Sequence, residues 1–364
     1  DKRCFNLIDE LADMARRSNR ILQVRLVKGA YWDGEIKRAQ QAGWKDYPVF
    51  TRKKHTDLSY LACAQKLLKY QGVLYPMFAG HNAQTVVSLL ELIGDRKDGF
   101  EFQRLFGMGK VLGDWLCKSP KMPVTIYGPV GSYEDLLPYL VRRMLENGAN
   151  TSFVAKIRNP HITVDELASD PVLALKEVSY HGAILPLPPA LYGEARQNAA
   201  GYDLSNSWMR ADFEENLKVT TPVLPPIVAT DILFAQAKAA QPVWQDNSAA
   251  DRASILRKAA DRMEAQTGAF ISLLQNEGQK TLADAMAELR EAVDFCRYYA
   301  AEGEKLFAET GQILTGPTGE KNSLRHRSRG VFVCISPWNF PLAIFIGQVT
   351  AALMAGNSVI AKPA

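Results

Sequence analysis

Two adjacent guanidinium groups, Arg142 and Arg143, are the residues of this chain best suited to grip a carboxylate, because forked N–H donors match its two oxygens. Arg25, Lys28 and His81 close or follow apolar runs and add positive charge or donors. With the backbone N–H groups of Lys28-Gly29 and Gly80-His81-Asn82 they suit a diphosphate. Tyr31 and Tyr127 offer flat apolar walls to a small ring. Much further on, Asn339 lies in Ile335-Ser-Pro337-Trp338-Asn339-Phe340-Pro341, and its side-chain amide can donate to a developing oxyanion. Lys362 can reach a ribose hydroxyl or a phosphate. No GxGxxG turn accompanies this second set.

Each group has a plainer reading that its pattern leaves open. Adjacent arginines on an amphipathic helix also fit a solvated face. A histidine after a strand also fits a satisfied loop residue, and Tyr31-Trp32 also fits core. Pro337 to Pro341 also reads as a rigid turn in which Asn339 caps the next helix.

The elements that must position these residues alternate strand and helix. Apolar runs at Ile21–Val27, Val73–Ala79, Phe100–Leu105 and Val124–Tyr127 each end at Gly or a polar residue. Thr85–Ile93 has helical spacing, and Asp135–Asn147 predicts an amphipathic helix with Leu136, Leu140, Met144 and Leu145 inward. Repeated strand–helix units imply parallel strands, and polar residues gather after each strand, the catalytic face of a β/α barrel. Four strands are half of a closed barrel, so the other half is expected before Asp1. Prolines then break the pattern between Lys156 and Thr230. Helices are expected over Ile232–Trp244, Asp251–Gln266 (apolar residues recurring at Ile255, Leu256, Ala259 and Met263), Phe270–Glu277 and Asp284–Phe307. Strand Val331–Ile335, helix Leu342–Met354 and strand Ser358–Ala361 then form a nucleotide-binding crossover.

Composition bounds the rest. The length of 364 residues fits two or three compact units. A net charge of +4 gives no argument for nucleic acid. Five scattered cysteines without a CxxC pair argue for a reducing compartment and against a zinc site, so no metal is expected. The chain opens without a secretory signal, and Pro341–Ala355 is too short to span a bilayer.

The first ~175 residues resemble the proline dehydrogenase barrel of the bifunctional proline utilization A family. The matching motifs are Arg25-Leu-Val-Lys-Gly-Ala-Tyr-Trp32, Tyr47-Pro-Val-Phe-Thr-Arg-Lys53, Glu101-Phe-Gln-Arg-Leu-Phe-Gly-Met-Gly109, Tyr127-Gly-Pro-Val-Gly131 and Leu140-Val-Arg-Arg-Met-Leu-Glu-Asn-Gly148. The resemblance implies FAD in the barrel mouth, taking a hydride from proline C5. Arg142 and Arg143 would then clamp the proline carboxylate, with Glu146 orienting the pair. Tyr31, Leu105 and Tyr127 would line the proline ring, and Arg25 would hydrogen-bond the isoalloxazine near N5, which makes Arg25 and Tyr127 catalytic. Lys28, Gly29, Ala30, Gly80, His81 and Asn82 would hold the cofactor. A substrate lysine and aspartate of the family are expected upstream of Asp1.

Residues from 231 on resemble the aldehyde dehydrogenase superfamily through Trp244, Arg252-Ala-Ser-Ile-Leu-Arg257, Glu277-Gly-Gln-Lys280, Arg297-Tyr-Tyr-Ala300, Arg329-Gly-Val-Phe-Val, Ser336-Pro-Trp-Asn-Phe-Pro341 and Ala355-Gly-Asn-Ser-Val-Ile-Ala-Lys-Pro363. That likeness implies NAD held by Ile335, Pro337, Trp338 and Lys362, with Asn339 as the catalytic oxyanion donor. The superfamily's cysteine nucleophile and glutamate base are expected beyond Ala364, and Cys334 is not that nucleophile. The stretch from Leu217 to Asp231 is short for the strands that usually precede the first helix, so either sequence is missing there or this member diverges.

The expected α/β organisation is the C-terminal half of a proline dehydrogenase barrel over 1–155, a linker over 156–230, and the opening of a Rossmann-like NAD-binding domain over 231–364. The implied enzyme oxidises L-proline and then glutamate semialdehyde. A membrane quinone is its implied electron acceptor, with homo-oligomers possible, a cytoplasmic location, and peripheral contact at the inner face of a bacterial membrane. A DNA-binding segment, present in some members of the family, would lie upstream. The rival expectations are a non-catalytic scaffold retaining both folds and a proline dehydrogenase fused to an inactive second domain.

Overall fold

The computed structural model describes residues 1–29, 32–148, 159–168, 170, 172–175, 185–215, 217 and 226–364. Chain packing separates two units, one of residues 1–36 and 48–185, the other of residues 37–47 and 186–364.

The first unit is built on four strands, β1 (Leu22–Leu26), β2 (Leu74–Ala79), β3 (Glu101–Leu105) and β4 (Val124–Tyr127). All pair in parallel, in chain order. Helices α1 (Cys4–Ser18), α2 (Trp32–Ala42), α3 (Lys53–Lys69), α4 (Ala83–Ile93), α5 (Lys110–Lys118) and α6 (Tyr133–Gly148) precede, connect and follow them. Even-numbered strand residues supply the apolar face. Leu22, Val24, Leu26, Leu74, Phe78, Phe102 and Val124 pack with Ile8, Ala12, Leu67, Leu89, Ile93 and Leu116 from the helices. Phe78, Phe100 and Phe102 stack with ring centroids 6.0 to 6.4 Å apart. An all-parallel sheet in chain order with its helices packed on one face is the wall of a β/α barrel, whereas doubly wound sheets reverse strand order.

Odd-numbered strand residues share the opposite face, because parallel register aligns Arg25 with Met77, Met77 with Glu101, Gln103 with Thr125, and Leu105 with Tyr127. One expectation is corrected here. Leu140, Met144 and Leu145 of α6 are exposed rather than inward, and only Leu136 among the four is partly covered. An apolar stripe predicts burial only where another element lies against it.

A short helix α7 (Val164–Leu167) still belongs to the first unit, and past residue 186 the second unit holds the short helix α8 (Ser207–Glu215). Then come α9 (Thr230–Gln245), α10 (Ala249–Ala265), α11 (Thr267–Asn276) and α12 (Leu282–Leu306). Ser248 and Thr281 cap α10 and α12 by accepting from Asp251 N and Asp284 N. The buried stripe of α10 is Ala253, Leu256, Ala260 and Met263, not one through Ile255 and Ala259, which lie exposed. Gly303 lets α12 meet Met354, whose Cγ stands 2.3 Å from where a Cβ would be.

A hairpin of β5 (Gln312–Leu314) and β6 (Asn322–Leu324) follows. Then β7 (Val331–Ile335), α13 (Ala343–Met354) and β8 (Ser358–Lys362) form a parallel crossover. Buried Asn357 fastens it: Oδ1 accepts from Arg329 N at 2.6 Å and Gly330 N at 3.0 Å, while Nδ2 donates to Ala352 O at 3.1 Å. Asn357→Ala strands those backbone groups and is expected to destabilise the second unit by about 2–3 kcal/mol, measured by denaturant unfolding.

Candidate functional site

At the carboxyl end of the first sheet, the nominated strand residues Arg25, Leu105 and Tyr127 lie on the odd-numbered face. The Arg25 guanidinium sits 4.6 Å over the Tyr127 ring, and its Nε donates to Gln103 Oε1 at 2.9 Å. Gln103 Nε2 donates onward to Glu101 Oε1 at 2.6 Å, and Thr125 Oγ1 donates to Glu101 Oε2 at 2.8 Å. The Glu101 carboxylate accepts only, so it turns the Gln103 amide and leaves its oxygen facing Arg25. Gln103, Glu101 and Thr125 escaped the sequence reading. The signal was present in the alternation of Glu101-Phe-Gln-Arg-Leu105, which puts Glu101 and Gln103 beside Leu105.

Two loops flank this face. Lys28 Nζ donates to Asp57 Oδ1 at 2.5 Å and Thr85 Oγ1 at 2.7 Å, above the Tyr60 ring. Burial lowers the Lys28 ammonium from its ordinary value, with Asp57 opposing. Burial alone would raise the Asp57 carboxyl, but Lys28 and Lys53 hold it below its ordinary range.

His81 Nε2 accepts from Leu105 N at 3.1 Å, so the ring is neutral with its proton on Nδ1. Burial, aided by Arg104, lowers its pKa. Asn82 caps α4, its Oδ1 accepting from Thr85 N at 3.2 Å. Gly29 and Gly80 have no atom within 4 Å of a built Cβ, which leaves their backbone open to a ligand. On α6, Arg142 is exposed and Arg143 lies 5.4 Å over the Tyr139 ring. Ala30, Tyr31 and the Glu146 side chain lie outside the described residues.

The second set gathers at the carboxyl edge of β7 and β8. Ile335 pairs in register with Lys362, and Ser336 N donates to Lys362 O at 3.0 Å. Asn339, four residues past β7, and Lys362 thus share one sheet edge. Ile335 is 63% and Trp338 83% exposed, with Pro337 partly covered between them. Asn339 is exposed and does not cap α13, which begins at Ala343. Cys334 is buried within β7, and burial pushes its thiol up, which suits an inert residue rather than a nucleophile. A separate concavity of about 580 Å³ in this unit includes Tyr192, Arg196, Asp294 and Tyr298 in its lining, but no nominated residue. Within it Arg196 pairs with Asp294 at 2.9 Å and lies on the Tyr192 ring.

Comparison with known proteins divides the chain in the same two directions. Residues 1–156 match the family model for proline dehydrogenase, and residues 228–364 that for the aldehyde dehydrogenase family. The bifunctional protein PutA of Escherichia coli is 43% identical over 411 aligned residues, covering 100% of this chain and 30% of that protein. Since 411 exceeds the chain's own 364 residues, that relative carries residues with no counterpart here. The crystal structure of Bradyrhizobium japonicum proline utilization A (mutant D779W) superposes with a TM-score of 0.86 at 49% identity, covering 100% of this chain and 37% of that one. A 1-pyrroline-5-carboxylate dehydrogenase of Halalkalibacterium halodurans is 38% identical over 121 residues, 33% of this chain and 23% of that protein. The chain thus spans about 30% of the length of the PutA relatives it matches along its whole extent.

The His81 bond gives the first unit an acid sensitivity of definite sign. A histidine whose folded pKa is lowered adds stability that is complete above 6.5 and is lost as pH falls through the lowered value. Protonated Nε2 becomes a donor and repels Leu105 N–H. Unfolding midpoints between about pH 5 and 8 are expected to fall on the acid side, and His81→Gln is expected to flatten that slope.

Proposed function

We propose, because residues 1–156 match the proline dehydrogenase family model and residues 228–364 the aldehyde dehydrogenase family model, that this chain is a segment of a bifunctional proline-oxidising enzyme. The proposed organisation is a barrel wall over 1–155, a connecting stretch over 156–230, and an NAD-binding domain over 231–364. The barrel-wall part would be completed into a closed β/α barrel by further strands. The observation that carries the reading is the pairing of Arg25 with Gln103 over the Tyr127 ring, a cation fixed on the sheet face that a flavin and a small substrate would occupy.

The residues present fit both cofactors. FAD would be held by open backbone at Gly29 and Gly80, the cations Arg25 and Lys28, and the Nδ1–H of His81. NAD meets the exposed Ile335 and Trp338 beside Lys362. When bound, FAD supplies the acceptor for the hydride of proline C5, and NAD the acceptor for that of the aldehyde carbon.

The chain's own residues do the rest. Arg142 and Arg143 hold the proline carboxylate with forked donors. Leu105 and Tyr127 bound the ring, and Arg25, steadied by Gln103, presents its remaining N–H groups to the flavin ring. Loss of two hydrogens gives pyrroline-5-carboxylate, which adds one water and opens to glutamate semialdehyde. Nucleophilic addition to that aldehyde puts negative charge on its oxygen, and the Asn339 amide donates to it. Oxidation with a second water yields glutamate.

A membrane quinone, reached by peripheral contact, would be the final electron acceptor. Among the described residues no helix is long and apolar enough to cross a membrane. A homo-oligomer is part of the same proposal.

Anaerobic titration of the full-length protein with L-proline, followed by flavin absorbance, tests the first reaction. Bleaching is expected, with Arg142→Met and Arg143→Met raising the half-saturating proline roughly 100-fold. A bound flavin that proline cannot reduce would move the substrate. Absence of flavin would leave a scaffold that binds neither. Gln103→Leu removes the partner of both Arg25 and Glu101, and is expected to slow flavin reduction by about tenfold at saturating proline.

A further inference from the structure

The turn that carries Asn339 is fastened from another helix. Leu342 occupies the N-cap position of α13 and supplies no capping side chain. A helix start leaves its first N–H groups without intrahelical partners. Here Leu342 N and Ala343 N donate to Glu288 Oε1 at 2.8 and 3.2 Å. Glu288 belongs to the second turn of α12, far away in sequence, and its side chain is 1% exposed. A carboxylate at the positive end of a helix dipole is favourable, but a buried one is costly unless its charge is met.

Lys280 meets it. Its Nζ stands 2.7 Å from Glu288 Oε2 as an ion-pair contact, without the direction of a hydrogen bond. The same ammonium lies 4.5 Å over the ring of Phe340, the residue after Asn339. Glu288 therefore grips the far end of the turn, and Lys280 grips both Glu288 and the turn's middle. The Asn339 side chain is spent on none of this, since another residue supplies the cap that its position in the sequence suggested.

We propose that Glu288 and Lys280 are positioning residues for the Asn339 amide, holding the 336–342 turn so that this amide faces the aldehyde oxygen. The proposal rests on the reading of Asn339 as the oxyanion donor. Small displacements of such a donor slow the chemical step while leaving substrate and cofactor affinity nearly intact. The role thus predicts a loss in kcat, not in KM.

The test uses the full-length protein, with semialdehyde oxidation assayed by NADH formation and proline oxidation by the first unit as an internal control. Asn339→Ala sets the scale at roughly a 100-fold loss in kcat. Glu288→Leu is expected to lower kcat by about 10- to 100-fold with KM for aldehyde and NAD within a few-fold. Glu288→Gln, whose amide oxygen can still accept from both N–H groups, is expected to recover most of the loss. Parental kcat in Glu288→Leu, or a loss confined to KM, overturns the proposal while Asn339→Ala keeps the reading of the site. Parental kcat in Asn339→Ala overturns that reading, and the proposal with it. Where Glu288→Leu does not fold, Lys280→Met decides: a several-fold loss in kcat restored by Lys280→Arg supports the role, and an unchanged kcat overturns it.

Discussion

Parallel strand pairing is the constraint on which both sites depend. Two parallel strands cannot be joined by a tight turn, so the chain must return over a crossover before each new strand starts. Every strand therefore ends at the same edge, and residues remote in sequence arrive there together. Arg25, Leu105 and Tyr127 come from three strands and share one face. Ile335 and Lys362 face each other in register because β7 and β8 run the same way. An antiparallel sheet from the same segments would scatter these groups to opposite ends.

An edge assembled from loops has little apolar surface with which to hold itself. Side chains that satisfy backbone N–H groups of another element supply the missing rigidity. His81 holds the end of β3, Asn357 holds the start of β7, and Glu288 holds the start of α13. Each is directional, and each leaves a backbone donor unpaired when broken, at up to about 1–3 kcal/mol. That is a large fraction of the net stability of a domain, so these contacts fix geometry as well as stability.

The parts of this arrangement that were legible in the sequence are those with a local period. All six principal strands and the long helices of the second unit follow from runs and spacing, with ends displaced by at most three residues. Leu140, Met144 and Leu145 show the limit, since a stripe says which side is apolar and not whether anything covers it. Gln103 and Glu288 show a second limit. Within their own segments they look like polar residues of a strand and of an amphipathic helix. Their roles come from Arg25 and from Leu342, which no period relates to them. The resemblance to known families proposes roles for Arg142, Arg143 and Asn339 by matching motifs, and it carries no information about what holds those motifs in place.

The hydrogen-bond inventory of the first site has a consistent sense. Acceptors at the sheet edge are used internally: Nε2 of His81 takes Leu105 N, and Oδ1 of Asn82 takes Thr85 N. The groups left over are donors, namely Nδ1–H of His81, the Asn82 amide N–H pair, the Arg25 N–H groups beyond Nε, and the third Lys28 N–H beside those given to Asp57 and Thr85. Lys28 therefore need not abandon Asp57 to meet a ligand; it can share. Among the described residues, these two acceptors are occupied while the donors named remain. Such a set would suit a diphosphate or a carboxylate better than a cation, and it is in place before any ligand arrives.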